Sequence, residues 1–294
     1  MGLARSTQTI DALRNMGTSE ARRLHYLLDP VLAPLRVRLI ERATTHVTPA
    51  ASVPVVCLMV YRARNAARAQ QLISQVGPGA DVRLWALDEV VPDLAVETLG
   101  CGPGGRFDHL NWLYEARPVA DGAWVVVADD DVVFVRGDIP ETIATMKLAG
   151  FNLAQPGQTL IGYWTQLFNV GRPFIKASDT NLVEIGPIFV ADAAISREIL
   201  PFPGNSGMGW GVEADWYQAK AKGFRIGIVD SCRMMHLSRG GAYLIGPEME
   251  HLSERLASAG LHSIWQLRSR NRRWWKWQAR PPWDESGENI AATS

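Results

Sequence analysis

Ala123-Trp124-Val125-Val126-Val127-Ala128-Asp129-Asp130-Asp131 is the stretch on which the fold of this chain turns. Its apolar part is too short for a buried helix and rich in β-branched side chains, so it predicts a central strand covered on both faces. The carboxyl end of such a strand is where open α/β sheets hold ligands. Because side chains alternate along a strand, Asp129 and Asp131 are expected on one side and Asp130 on the other. Adjacent carboxylates repel unless a cation or hydrogen-bond donors compensate them, so the triplet reads as a divalent-cation site. The competing reading is a solvated acidic turn that caps the next helix.

Working outward, residues 53–61 predict a strand, 65–75 a helix, Gly77-Pro78-Gly79 a turn, 81–87 a strand ending at Asp88, and 107–115 a helix leading into the aspartate strand. Downstream come a helix over 140–148, with Glu141 in its first turn, a strand over 151–154 and a buried strand over 182–191. A helix to about residue 200, a glycine-rich loop over 204–211, a helix over 212–222, a strand over 225–229 and a helix from about Pro247 follow. Strands alternating with helices imply an α/β fold whose central sheet is mostly parallel and flanked by helices. Residues 1–50 carry leucines at helical spacing, interrupted by Pro30 and Pro34, and predict a helical appendage. The organisation expected is that appendage, a catalytic α/β domain over 51–246, a helical, basic, Trp-rich segment over 247–283 and a disordered tail over 284–294.

With 294 residues, 47% of them apolar, the chain can fill a sizeable core. Thirty basic residues balance thirty acidic ones, which gives no reason to expect a nucleic-acid partner. The basic residues are nonetheless uneven: between Arg255 and Trp283 there is no acidic residue, while Arg268, Arg270, Arg272, Arg273, Lys276 and Arg280 crowd around Trp274, Trp275, Trp277 and Trp283. Cys57, Cys101 and Cys232 are far apart and lack metal-ligand spacing, as expected in a reducing compartment. No continuous apolar signal region opens the chain, and residues 53–61 are far too few to span a bilayer, so a cytoplasmic location is expected.

Three further segments carry chemistry. Gly100-Cys101-Gly102-Pro103-Gly104-Gly105 lacks the Gly-Lys-Ser/Thr ending of a phosphate loop and reads as a mobile loop beside a site. The adjoining Arg106 and Asn111 offer a cation and an amide just upstream of the acidic strand. In Gly209-Trp210-Gly211-Val212-Glu213-Ala214-Asp215, flanking glycines allow a tight turn, and Glu213 and Asp215 fall at a helix N-terminus. They read as caps, as a base for a sugar hydroxyl, or as a ligand of a donor sugar. His236 reads equally as a satisfied structural histidine and as a nitrogen ligand completing a carboxylate and imidazole set suited to Mn²⁺ or Mg²⁺.

In this order the three segments resemble a GT-A glycosyltransferase. Asp129-Asp130-Asp131 is similar to the Asp-x-Asp motif of that fold, Gly209-Trp210-Gly211-Val212-Glu213 to its Trp-Gly-x-Glu/Asp element, and His236 to its metal-binding histidine. More narrowly, residues 183–241, including Val183-Glu184-Ile185-Gly186-Pro187-Ile188-Phe189, resemble a GT-A-like family of plant and bacterial proteins. The resemblance implies that Asp129, Asp131 and His236 hold Mn²⁺ or Mg²⁺ and that Asp130 meets the ribose or sugar. Arg62, Arg64, Asp88, Arg106, Asn111 and Trp210 would bind a nucleotide-sugar donor, and Glu213, then Asp215, would be the base if the reaction inverts the anomeric carbon. The acceptor would be a hydroxyl on a glycan, glycolipid or small molecule. The segment from Arg268 to Trp283 suits contact with anionic headgroups or a lipid-linked phosphate, sugar stacking, closure over the donor diphosphate, or a helix packed through its Trp face. Two rivals stand: a non-catalytic carbohydrate-binding or scaffold protein of the same fold, and a sugar nucleotidyltransferase. Tyr61-Arg62-Ala63-Arg64-Asn65 lacks the glycine-rich loop expected of the latter.

Overall fold

A computed structural model of the protein describes residues 53–164, 166–204, 209–237, 245–268 and 270–283, with isolated positions between 28 and 35. Apart from those positions, the expected appendage lies outside the described residues, as does the expected tail.

Strand β1 (Val55–Tyr61) is buried along its whole length, and its side chains divide by parity. Cys57, Met59 and Tyr61 join Ala69 and Leu72 of α1 (Ala66–Ser74) in one core. Val56, Leu58 and Val60 join Phe107, Leu110 and Leu113 of α2 (Arg106–Glu115) in another. β4 (Trp124–Asp129) splits the same way, Val126 and Ala128 to the first core and Val125 and Val127 to the second. An unbroken apolar run is what a strand needs when both of its faces are covered.

β1 lies between β4 and β2 (Asp81–Ala86), and β2 is followed by β3 (Thr98–Cys101), all four strands parallel. Beyond β4 the sheet continues through β8 (Ile188–Asp192), β6 (Leu153–Gln158), β9 (Ile226–His236), β7 (Ile175–Thr180) and β10 (Arg270–Trp275). β6 and β9 are parallel, whereas β8 and β7 run against their neighbours. β5 (Val132–Arg136) branches off to pair antiparallel with β9. Helices α1 and α3 (Ile139–Ala149) cover one face; α2, α4 (Ala193–Ile199) and α5 (Val212–Ala221) cover the other. The flanked α/β sheet expected from the sequence is therefore observed. Among the described residues no helix is long and apolar enough to cross a membrane.

Four local expectations change. Of residues 182–191 only those from Ile188 on are strand; the preceding stretch is a buried loop whose Pro187 has no N–H to give a ladder. Gly100 and Cys101 belong to β3 rather than to a loop, and a Cβ on Gly100 would lie 2.3 Å from the Trp85 ring, so glycine there serves packing. β9 runs through to His236 instead of ending near Val229. The segment after α6 (Ile245–Ser258) is not helical throughout, because Arg270–Trp275 forms an edge strand.

A buried ion pair explains both of the last two differences. Asp230 on β9 accepts hydrogen bonds from Arg270 Nη1 at 2.7 Å, Ser178 Oγ at 2.6 Å and the Arg172 N–H at 2.8 Å. Arg270 also donates to the carbonyls of Phe168 and Val170. Charged residues can thus occupy strand interiors because every polar atom has a partner. Trp274 and Trp283 are core residues: the Trp283 indole N–H donates to the Ala149 carbonyl at 2.7 Å and its ring stacks on Phe151. Trp277, stacked on Trp275, remains exposed.

Candidate functional site

β4 ends at Asp129, and a two-residue turn, Asp130-Asp131, hands the chain to β5, which pairs with the far end of β9. Val132 lies opposite His236, so Asp131 falls beside the imidazole, its Oδ1 3.1 Å from Nε2. Ligand atoms of Asp129, Asp131 and His236 all lie within 4.8 Å of one another. Two carboxylates and an imidazole so gathered are a donor set that Mn²⁺ or Mg²⁺ fits. Asp130 turns the other way and accepts the Arg62 N–H at 2.8 Å, an orientation set by the turn rather than by strand alternation.

The electrostatics are those of crowded acids. Burial raises the Asp129 carboxyl, with Arg106 and His236 opposing it and Asp131 adding to it. Arg106 Nη2 sits 2.5 Å from Asp129 Oδ1 and supplies the compensating charge. Burial likewise pushes Asp130 up to about 6 against its hydrogen bonds from Arg62 and Asn65. For His236, burial is the largest influence and pulls it down, but the hydrogen bond to Asp131 and the charges of Asp131, Asp129 and Glu184 together carry it above the usual imidazole range.

The remaining sequence candidates fall in three places. Arg62 and Arg64 are exposed at the carboxyl end of β1, next to Asp88 at the end of β2. Asp88 accepts the N–H of Ala63 at 2.8 Å and of Glu89 at 3.0 Å, and the Ala63 bond leads in holding its carboxyl below the usual range. Glu213 and Asp215 open α5 after the left-handed Gly209 (φ 84°) and Gly211 (φ 90°). Glu213 accepts the N–H of Gly211 at 3.2 Å and of Ile185 at 3.4 Å, and burial raises it to about 7. Trp210, on the turn between those glycines, packs at the edge of the cluster that joins α5 to α6.

Two candidates are already engaged elsewhere. Both polar ends of the Asn111 amide clamp the Phe202 backbone, at 2.8 and 2.6 Å, so it is a strut between α2 and the chain after α4 rather than a free donor. Asp215 is ion-paired with Arg255 of α6 at 2.9 Å. In both cases the partner is remote in sequence and nothing local signals it.

The residues missed in the sequence belong to the loop before β8. Gly186 lies against Asp129, where a Cβ would come 3.1 Å from Oδ2; the Ile185 N–H reaches Glu213; and the Glu184 carboxyl turns inward to Gln158. Burial first and Glu213 second raise Glu184 to about 8. Arg268 approaches the same carboxyl, whose charge partly offsets the lowering that burial imposes on the guanidinium. The segment stood in the sequence only as part of the resemblance carried by residues 183–189, with Glu184 a single acid among apolar neighbours and no role attached to it.

No protein-family model and no curated protein sequence matches the chain. Among solved structures, Staphylococcus aureus TarS residues 1–349 in complex with UDP-GlcNAc superposes with a TM-score of 0.50 at 13% identity over 72% of this chain and 67% of that one. GalNAc-T7 with UDP, GalNAc and Mn²⁺ superposes with a TM-score of 0.47 at 10% identity over 70% of this chain, which spans about half (48%) of its length. The fold is thus one that TarS shares, a GT-A-type α/β fold.

Proposed function

We propose that the protein is a metal-dependent glycosyltransferase that moves a sugar from a nucleotide-sugar donor to a hydroxyl acceptor, and that its kinship lies with the GT-A-like proteins its motifs resemble. The observation that carries this is the convergence of Asp129, Asp131 and His236 at the carboxyl end of the central strands. UDP-sugars are the first donors to consider, since the TarS structure of the same fold holds one.

Bound by the three ligands, Mn²⁺ or Mg²⁺ would neutralise the diphosphate that leaves. Arg106 is placed to pair with phosphate oxygens as readily as with Asp129. Arg62, Arg64 and Asp88 line the neighbouring strand ends, where the nucleoside would lie, and Asp130 would accept a ribose or sugar hydroxyl. In an inverting transfer the Glu213 carboxylate takes the proton of the acceptor hydroxyl as its oxygen attacks the anomeric carbon. The bond from that carbon to the diphosphate oxygen breaks, and the electron pair leaves with the nucleoside diphosphate. A base with a pKa of about 7 suits that step at neutral pH.

The described catalytic unit would then act in the cytoplasm, with a membrane-peripheral contact through its C-terminal segment. Lys276 is held below its usual range by partial burial and by Arg136 and Arg233 beside it, and Trp277 stands exposed nearby in sequence. Such a basic and aromatic surface suits anionic headgroups or a lipid-linked acceptor.

Thermal-shift measurements with nucleoside diphosphates and nucleotide sugars, with and without Mn²⁺, test the function directly. A ligand at a hundred times its Kd adds roughly 2.7 kcal/mol. One nucleotide should stabilise the protein only with Mn²⁺ present, and Asp131→Asn should abolish the effect. Folded protein that responds to no nucleotide would exclude the transferase.

A further inference from the structure

Three amide side chains gather around Glu184, Gln158 and Asn169 at its carboxyl and Gln155 at its backbone N–H, and each leaves at least one polar atom without a hydrogen-bond partner. Gln155 Oε1 accepts the Glu184 N–H at 2.6 Å while its Nε2 bonds to nothing. Gln158 Nε2 donates to Glu184 Oε2 at 2.5 Å while its Oε1 bonds to nothing. Asn169 stands close enough to the same carboxyl to lower it, yet neither its Oδ1 nor its Nδ2 is hydrogen-bonded, and Glu184 Oε1 is unmet as well. Their exposures are 0% for Gln155, 2% for Gln158, 0% for Asn169 and 6% for Glu184, so bulk water does not satisfy them. Native proteins seldom leave buried polar atoms unmet, and a cluster of them calls for an explanation.

The arrangement is built rather than incidental. Gln155 and Gln158 are three residues apart and would face opposite sides of a regular strand. The pairing of β6 with β9 slips between Pro156 and Gly157, and past the slip Gln158 reaches the carboxyl of the residue whose backbone N–H Gln155 holds. Asn169 is presented by the short turn that Arg270 holds through the carbonyls of Phe168 and Val170.

Its position is as telling as its composition. Gln158 lies opposite Met234, two residues before His236. Glu184 is followed by Ile185, whose N–H donates to Glu213, and by Gly186, which lies against Asp129. The cluster therefore borders both the cation ligands and the candidate base, the interval that the reacting ring must occupy. Two unmet N–H₂ groups, two unmet amide oxygens and the unmet Glu184 Oε1 complement hydroxyl groups, each of which can both donate and accept.

We propose that Gln155, Gln158, Asn169 and Glu184 form the pocket that receives the transferred sugar, an uncharged, hydroxyl-rich ring, and that they set which sugar is accepted. This assignment rests on the transferase function proposed above. The test is calorimetric titration of the full chain with Mn²⁺, comparing UDP with UDP-glucose, UDP-galactose, UDP-GlcNAc and UDP-GalNAc, and GDP with GDP-mannose. Wild-type protein should rank the sugars of its nucleotide, and Gln158→Met or Glu184→Gln should lower the preference for the best sugar over its rivals by roughly tenfold per lost hydrogen bond. Affinity for the bare nucleoside diphosphate should stay within about twofold of wild type. Glu184→Gln keeps the size of the side chain and stands in for Gln158→Met should that variant not fold. A variant that binds the nucleotide normally and keeps the wild-type ranking, as it would if the pocket held only ordered water, would overturn the assignment while leaving the transferase intact. Wild-type protein that binds no nucleotide would overturn both.

Discussion

Removing Arg270 from beneath Asp230 should cost the protein more than any exposed charge could. The side chains of the pair are 2% and 0% exposed, so solvent screening does not soften the loss. Arg270→Met keeps much of the volume but leaves Asp230 with the Ser178 hydroxyl and the Arg172 N–H as its hydrogen-bond donors, and with the Arg172 and Arg233 charges nearby but not hydrogen-bonded to it. Breaking a buried pair from one side costs about 3–5 kcal/mol, because the remaining charge stays uncompensated. The Phe168 and Val170 carbonyls lose their donor as well, which places the expectation at the upper end of that range. For a domain of this size each kcal/mol moves Tm by about 2–4 °C, so calorimetry should show a fall of roughly 8–20 °C. Adding Asp230→Asn removes the stranded charge, and the double variant should recover about 1–3 kcal/mol relative to the sum of the single changes. A Tm for Arg270→Met within about 2 °C of wild type, or strict additivity in the double variant, would refute the account of what holds β10 on the sheet.

The base assignment predicts a pH profile. Glu213 must be ionised to accept a proton and burial holds it at about 7, so kcat/KM should rise with pH through about 7 and then level. Glu213→Gln should abolish that limb along with roughly 10²–10⁴-fold of the rate, and a wild-type profile that rises towards acid would count against it. Asp215→Asn should leave transfer nearly intact and cost about 1 kcal/mol, since the partly exposed pair with Arg255 is all it breaks; a loss of turnover equal to that of Glu213→Gln would reverse the two roles. Arg83, fully buried, donates to Asp81 and to the carbonyls of Leu113, Tyr114 and Arg117 at the end of α2. Arg83→Met should lower stability by about 2–4 kcal/mol in urea unfolding, and an unchanged midpoint would show those carbonyls to be satisfied without it.

In the parallel half of the sheet β1 and β4 were legible because they are apolar on both faces and end in polar residues that belong to no core, whereas the short edge strand β3 was read as loop. The same rule hid β10 and the second half of β9. Arg270, Arg272 and Arg273 look like a solvated face until Asp230, forty residues earlier, is seen to lie beneath one of them. In the site, the grouping of Asp129 with Asp131 and the turning away of Asp130 match the expected sides, although Asp130 and Asp131 form a turn rather than strand, and the turn at Gly209 and Gly211 was legible from the glycines themselves. Glu184 was not, since its partners Gln155 and Gln158 reach it only because β6 slips against β9. Asn111 and Asp215 carried the right chemistry, but Phe202 and Arg255 had claimed them first.

The loop that leads into β8 puts three consecutive residues to three different uses: Glu184 on Gln158, the Ile185 N–H on Glu213, Gly186 on Asp129. A single inserted or deleted residue there would dislocate all three contacts at once, whereas a substitution touches one of them. Length, more than composition, is what this segment has to keep. Through sequence drift its spacing from Ile188 should stay fixed, while the choice of side chain at position 184 remains free to change one sugar for another.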